Sequence, residues 1–260
     1  MTSYQIGAQM YSVRDMCQDY NTMLSAMKVL KDGGYNICQL SGFSKDLKPE
    51  QLKELCDESG LKCASTHISF ADMEQNLDEV IRMHKLLDCE YPGIGGMPTE
   101  FRGSEEGFAA FAKRAGEIAK KLEAEGLHFI YHSHHFEFER LKSGRFGYDI
   151  LLENSPKELQ FELDVFWAQA GGQNVLEWIK KLEGRMDVIH FKDMGIGFKG
   201  MPIVPIGEGS MDFASIMKAA EDIGVKYAFI EQDTAPEYPC GSIACMMRSK
   251  NALEKLGGWF

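Results

Sequence analysis

The chain has 260 residues, 44% of them apolar, which is enough for one sizeable core and matches the usual length of a (β/α)8 barrel. Its formal net charge of −11 repels phosphate backbones and argues against a nucleic-acid partner. No apolar run approaches the roughly 18 residues that cross a bilayer, and the opening MTSYQIGAQMYSVRD has neither a basic n-region nor an apolar h-region, so no membrane partner and a cytoplasmic location are expected.

Short apolar runs alternate with amphipathic stretches along the whole chain, the pattern of βαβ units. The first strand is predicted at Ile6–Tyr11, followed by a helix over Asn21–Lys31, where Met23, Leu24, Met27 and Leu30 fall at helical spacing. A strand at Asn36–Leu40 leads to a helix at Pro49–Ser59, with proline in its first turn and Gly60 beyond its end. Lys62–His67 is the third strand, and Met73–Leu87 the next helix, its apolar residues gathered on one broad face. Tyr91–Gly95 precedes the longest helix, Ser104–Glu125, which Gly126 closes. His128–His132 and Gly147–Leu152 form the fifth pair, Gln160–Phe166 and Val175–Leu182 the sixth. Asp187–Phe191 with Phe213–Ile223, then Tyr227–Glu231 with Ile243–Leu256, complete the set. Glycines 34, 60, 126 and 224 stand where a helix must close in a left-handed residue before the next strand. Asp212 stands as an N-cap for the helix from Phe213. No linker or composition break divides the chain, so one domain over residues 1–260 is expected, an α/β (β/α)8 TIM barrel. An open doubly wound sheet is disfavoured, because no G-x-G-x-x-G follows the first strand. The seven scattered cysteines include no C-x-x-C pair, which leaves most of them as small buried hydrophobes.

In such a barrel the C-terminal ends of the strands line the active site. Polar residues that end apolar strands are therefore the candidates. The first strand ends in Gln9 and Tyr11, the second near Gln39, and the third presents His67. The fourth offers only backbone and glycine, whereas the fifth, FIYHSHHFEF, presents His132, His134, His135 and Glu137. The sixth presents Asp164 and then Trp167, the seventh His190, Lys192 and Asp193, and the eighth Glu231 and Asp233. Each alone has a structural reading, Asp164 as a helix cap and Lys192 as a partner of Asp193. Together, four adjacent strands aim carboxylate and imidazole at one spot, a donor mix suited to Mn²⁺, Mg²⁺, Co²⁺ or Zn²⁺.

Across essentially its whole length the chain resembles the xylose isomerase-like TIM-barrel superfamily, which contains the sugar phosphate isomerase/epimerase family. The resemblance is carried by QMYSVRD at Gln9–Asp15, YHSHHFEF at Tyr131–Phe138, ELDVFWAQAGG at Glu162–Gly172, HFKDM at His190–Met194, IGEGSMDF at Ile206–Phe213 and FIEQD at Phe229–Asp233. It implies one divalent metal, Mn²⁺ first, held by Glu, Asp, His and Glu from strands five to eight. Asp164, His190 and Glu231 take the last three places. Glu137 is the expected fourth ligand, on the family's preference for a carboxylate, and His132, at the aligned position, is the alternative. Gln39 stands where many relatives have Glu, and Ser133 where a related subgroup has Asn.

The implied activity is that of a metal-dependent isomerase or epimerase on a small sugar or polyol, abstracting a proton next to a carbonyl through an enediolate. Glu231 or His134 serves as base, His132 as a further proton-transfer candidate, and Lys192 steadies developing charge. Gln9, Tyr11, His67, Trp167 and Asp233 are the expected substrate contacts. Two alternatives stand beside this reading. One is a lyase on the same scaffold, an inosose dehydratase or an enzyme cleaving a 3-keto-glycoside or C-glycoside. The other is a non-catalytic sugar-binding barrel. A homo-oligomer remains open.

Overall fold

The structure, a computed structural model, describes residues 1–198 and 200–260. Eight parallel strands close into a barrel: β1 Gln5–Gln9, β2 Ile37–Leu40, β3 Lys62–Ile68, β4 Tyr91–Ile94, β5 Ile130–His132, β6 Gln160–Asp164, β7 Val188–Phe191 and β8 Tyr227–Ile230. Each strand pairs with the next in sequence, and β8 pairs with β1, Gln5–Ala8 running beside Tyr227–Ile230. That last ladder excludes the open doubly wound sheet. Helices cover the outside and share the main apolar core with the outward faces of the strands.

Successive side chains of a strand point to opposite faces, so alternate residues fill the barrel interior. Toward the N-terminal end these are Ile37, Ala64, Tyr91, Ile130, Val188 and Phe229, a buried apolar cluster of their own. Gly7 lets this layer close, because a Cβ there would lie 2.6 Å from Ile37 and 2.9 Å from Phe229. Toward the C-terminal end the inward positions turn polar, with Gln9, Gln39, His132, Glu162, Asp164, His190 and Lys192 all buried. The apolar plug below excludes water and fixes the polar layer above it.

Several boundaries differ from the sequence-based expectation, the first strand among them, which ends at Gln9 rather than Tyr11 and passes into the 3₁₀ helix Met10–Met16. The helix expected over Met73–Leu87 is two helices, Phe70–Gln75 and Leu77–Leu87. Ser69 caps the first by accepting from Asp72 N at 3.1 Å, and Asn76 leaves helical geometry at φ −130°, ψ 35°. The sixth strand stops at Asp164, whose carboxylate accepts from Trp167 N at 3.0 Å and starts the helix Val165–Ala170 at once. The fifth strand is only three residues long, beginning at Ile130 rather than His128. The helix-closing glycines behave as expected, Gly60 for example at φ 73°.

After β7 the chain forms a short antiparallel ribbon, Asp193–Met194 with Ile203–Val204. Asp193 anchors the loop that follows, accepting from Gly207 N at 2.9 Å, Gly209 N at 3.1 Å and Met211 N at 3.2 Å. Gly209 is required there, since a Cβ would come within 2.3 Å of Asp193 Oδ1. Asp212 caps the helix Phe213–Asp222 through Ser215 N at 3.1 Å. Six of the seven cysteines are buried and Cys240 is exposed. Among the described residues no helix is long and apolar enough to cross a membrane.

Candidate metal centre

The polar layer is built by register. The β5·β6 ladder sets His132 opposite Glu162, and the β6·β7 ladder sets Asp164, two residues further along the same face of β6, opposite His190. Glu231 follows β8 directly, its amide bonded to Phe191 O at 3.0 Å. The outcome is a group of four buried side chains, His132, Asp164, His190 and Glu231, whose ligand atoms lie within 4.8 Å of one another. A second group, His67, His132, Glu162 and His190, meets the same limit and shares two histidines with the first.

Lys192 brings a buried cation to the site. Its Nζ is fully buried and lies 2.9 Å from Asp164 Oδ2, 2.9 Å from Glu231 Oε2 and 2.6 Å from Asp233 Oδ2. These are ion-pair separations without hydrogen-bond alignment at Lys192 Nζ, Asp164 Oδ2 or Asp233 Oδ2. The expected alternative partner Asp193 is instead spent on loop amides. Burial alone would strip the lysine of its proton, but the three carboxylates hold its pKa well above the usual range. Burial would likewise raise Glu231, but Lys192 and His190 keep it well below the ordinary carboxylate value. Burial raises Asp164 to about 6, with Lys192 and His190 opposing the shift. Burial acts against the charge on His190 too, yet Glu162 and Glu231 bring it up to about 10. His132 is pushed down to about 3 by burial and by His190, and His134 to about 2 by burial, His132 and Lys192, so both imidazoles are neutral.

The donor set fits a divalent cation. Two imidazoles and two carboxylates converge, Asp164 Oδ2 is buried without a hydrogen-bond partner, and nitrogen with oxygen is the donor chemistry of Zn²⁺, Mn²⁺ or Co²⁺.

Glu137, the expected strand-five ligand, is absent from both groups. It sits on the short 3₁₀ turn Phe136–Phe138, fully buried. There it accepts from the Tyr131 hydroxyl and from His134 N at 2.9 Å. Tyr131 alternates with the inward-facing Ile130 and His132 and packs in the outer core against Phe111, so Glu137 is drawn behind the barrel wall. Burial raises its carboxyl to about 7, opposed by the Tyr131 hydroxyl. The strand-five member of the group is His132.

The other expected site residues lie around this centre. His134 is half-buried, with Nδ1 lacking a partner, and its ring centroid is 5.6 Å from that of Trp167. Trp167 also faces Lys192, whose Nζ is 5.4 Å from its ring centroid. Asp233 is half-buried beside Lys192. Tyr11 is half-buried at the rim under the Arg14 guanidinium, 4.3 Å away. Gln9 is fully buried and donates to Gln39 Oε1 at 2.5 Å, which places it below the opening rather than on it. His67 lines a cleft of about 520 Å³, and His134 with Gly95 and Gly96 lines another of about 590 Å³, flanking the centre on the β3 to β5 side. Glu162 is the residue that the sequence reading passed over. It is fully buried and two residues before Asp164, so strand alternation from Asp164 was the signal that pointed to it.

A family model described as xylose isomerase-like TIM barrel matches residues 27–242. A search of curated protein sequences gives no match. Among solved structures, a sugar phosphate isomerase/epimerase from Parabacteroides distasonis ATCC 8503 is similar at TM-score 0.80 and 21% identity, over 98% of this chain and 94% of that one. A second structure so described, from the same organism, has TM-score 0.79 and 24% identity, over 97% and 98%. The IOLI protein with a binding zinc atom has TM-score 0.69 and 15% identity, over 97% of each chain. At these identities the likeness is one of fold.

Proposed function

The chain belongs to the xylose isomerase-like TIM-barrel family, and from that premise we propose that it is a divalent-metal-dependent isomerase or epimerase of a small sugar or polyol. The observation that carries this reading is the charge imbalance of a largely buried cluster. Four carboxylates, Glu162, Asp164, Glu231 and Asp233, face two cationic groups, Lys192 and protonated His190. Two negative charges are left at a point where His132, Asp164, His190 and Glu231 converge, and buried unpaired charge is costly. A divalent cation bound there, with loss of the His190 proton because a ligating imidazole is neutral, lowers the excess to one negative charge. The zinc atom of the similar IOLI structure supports the same chemistry.

When bound, the ion supplies Lewis acidity that polarises a substrate carbonyl and lowers the cost of charge on the neighbouring oxygens. Glu231 takes the proton from the carbon next to that carbonyl. Lys192 Nζ, 2.9 Å from Glu231 Oε2, orients the carboxylate and keeps it ionised, whereas His190 Nδ1, also at 2.9 Å, would turn to the ion. Glu231 is a base by position more than by strength, since Lys192 depresses its pKa. Lys192 offers its charge to the enediolate oxygen. His134, neutral and with an unpartnered Nδ1, accepts a substrate hydroxyl or relays a proton. Trp167 gives the sugar an apolar face, and Tyr11, His67 and Asp233 border the opening.

One observation favours a second reading. The strand-five member of the converging group is His132, an imidazole and not a carboxylate. With one carboxylate base, the same enediolate can instead expel a β-leaving group, dehydrating an inosose or cleaving a 3-keto-glycoside. Product analysis after incubation with a ketose, an inosose and a 3-keto-glycoside separates the two. Stereochemical inversion or carbonyl migration without loss of a group supports the isomerase. An unsaturated or cleaved product replaces it with the lyase, and no turnover of any of the three with metal present contradicts both.

A further inference from the structure

Beneath the proposed ion site lies a carboxylate that no step above employs. Glu162 Oε2 is 2.6 Å from His67 Nε2 and 3.3 Å from His132 Nδ1, the latter without hydrogen-bond alignment. Glu162 Oε1 is 3.1 Å from His190 Nε2 and accepts from Gln39 Nε2 at 2.8 Å. An ionised carboxylate can only accept, so His67 Nε2, which is hydrogen-bonded to it, carries hydrogen. Gln39 imposes the same requirement on His190 Nε2. Its amide NH2 is spent on Glu162 and on Ser65 Oγ at 2.9 Å, and the Ser65 hydroxyl donates onward to Tyr91 O at 3.0 Å. Gln39 Oε1 must therefore accept, from Gln9 Nε2 at 2.5 Å and from His190 Nε2 at 2.6 Å. The other face of each shared imidazole looks up. His190 Nδ1 is 2.9 Å from Glu231 Oε2, and His132 Nε2 is 3.9 Å from Asp164 Oδ2.

We infer that Glu162 is a positioning residue for the metal centre: it holds the Gln39 amide so that Gln39 Oε1 keeps hydrogen on His190 Nε2, and His190 Nδ1 is thereby presented to a divalent cation. Gln39 and Gln9 complete the hold on His190. The inner group of His67, His132, Glu162 and His190 binds hydrogen and not a second ion. An ion there would need the lone pair of His190 Nε2, which would take the donor from Gln39 Oε1. Filling both groups at once would need both shared histidines as imidazolates. Carboxylate or carbonyl partners on the far nitrogen of a ligating histidine fix its tautomer and raise its basicity. This inference rests on the proposed ion site, and its test keeps the two apart.

The substitution is Glu162→Gln, which preserves size but turns one acceptor oxygen into a donor NH2 facing the imidazoles. In a Co²⁺ or Zn²⁺ competition titration, affinity should fall about 10- to 100-fold while stoichiometry stays at one ion per chain. In ¹⁵N-histidine spectra of the wild type, metal-free protein should show hydrogen on Nε2 of His67 and His190. Zn²⁺-loaded protein should keep His190 Nε2–H and show zinc on Nδ1. Unchanged affinity in Glu162→Gln, or zinc on His190 Nε2, overturns the assignment. So do two ions in the wild type falling to one in the variant, which would make the inner group a ligand set. The wild-type spectra decide even where the variant does not fold. A wild type that binds no ion overturns the ion-site reading, whereas missing Nε2–H signals in the metal-free chain overturn the role of Glu162 by themselves.

Discussion

His84 gives the chain a pH-dependent stability whose size can be worked out. It lies on the helix Leu77–Leu87, fully buried against β3. Its Nδ1 is 2.7 Å from Val80 O and its Nε2 is 2.8 Å from Thr66 Oγ1. A carbonyl only accepts, so Nδ1 carries the hydrogen and Nε2 takes the threonine hydroxyl, a complete set for a neutral ring. Burial pushes its pKa from 6.5 down to about 4, opposed by the Val80 carbonyl. The unfolded chain therefore binds the proton first. The stabilising effect is whole above pH 6.5 and is lost as pH falls toward the folded value. With those two values the loss reaches about 2 kcal/mol at pH 5 and approaches about 3 kcal/mol below pH 4. Other groups titrate in this window, and Glu137, raised to about 7, works in the opposite direction. The comparison is thus between the wild type and His84→Gln, both metal-free, by urea unfolding from pH 8 to pH 4.5. The variant should be the less stable at pH 8, and the gap should narrow by about 2 kcal/mol by pH 5. A gap constant over that range would refute the neutral-histidine account.

Asp164→Ala and His190→Ala should each lose the bound ion, measured by metal analysis after gel filtration, because each removes a donor of the converging group and leaves the apolar layer below intact. His132→Ala should weaken metal binding by about tenfold or more, whereas Glu137→Gln should leave metal affinity within about twofold. Glu137→Gln should instead lower unfolding stability by about 1–3 kcal/mol through the lost Tyr131 and His134 partners. Isothermal titration and urea unfolding of both variants check this pair, and the reverse ranking in metal affinity would return Glu137 to the ligand set.

The barrel was legible because its signal is repeated. Eight apolar runs, each followed by an amphipathic stretch, survive an error at any one boundary. Two of the boundaries moved where a side chain caps a helix the hydrophobic pattern cannot reveal, Asp164 for Trp167 and Ser69 for Asp72. Within the site, Asp164, His190 and Glu231 could be read because each ends an apolar strand. Glu137 was named on residue type, a ground that takes no account of geometry. The chain turns at His135, so its carboxylate follows Tyr131 outward. Glu162 could have been found by period two from Asp164. Gln39 was noted only as a departure from relatives, because its task, splitting its amide between acceptor and donor partners, exists only once the barrel closes and β2 and β3 face β6 and β7 across its interior. The attachment of Lys192 to three carboxylates rather than to Asp193 has the same origin, since sequence adjacency on a strand means opposite faces.

The most direct test of the central claim is solvent deuterium incorporation into substrate by wild type and Glu231→Gln in D2O, with the bound ion quantified in the same samples. Glutamine keeps an oxygen that can face a cation but cannot take a proton near neutral pH. The account predicts about one ion per chain in the wild type, deuterium entering at the carbon next to the carbonyl, and loss of that exchange in metal-loaded Glu231→Gln by a factor of at least about 100. Exchange that persists at the wild-type rate in the metal-loaded variant would contradict it and move the proton transfer to His134 or His132.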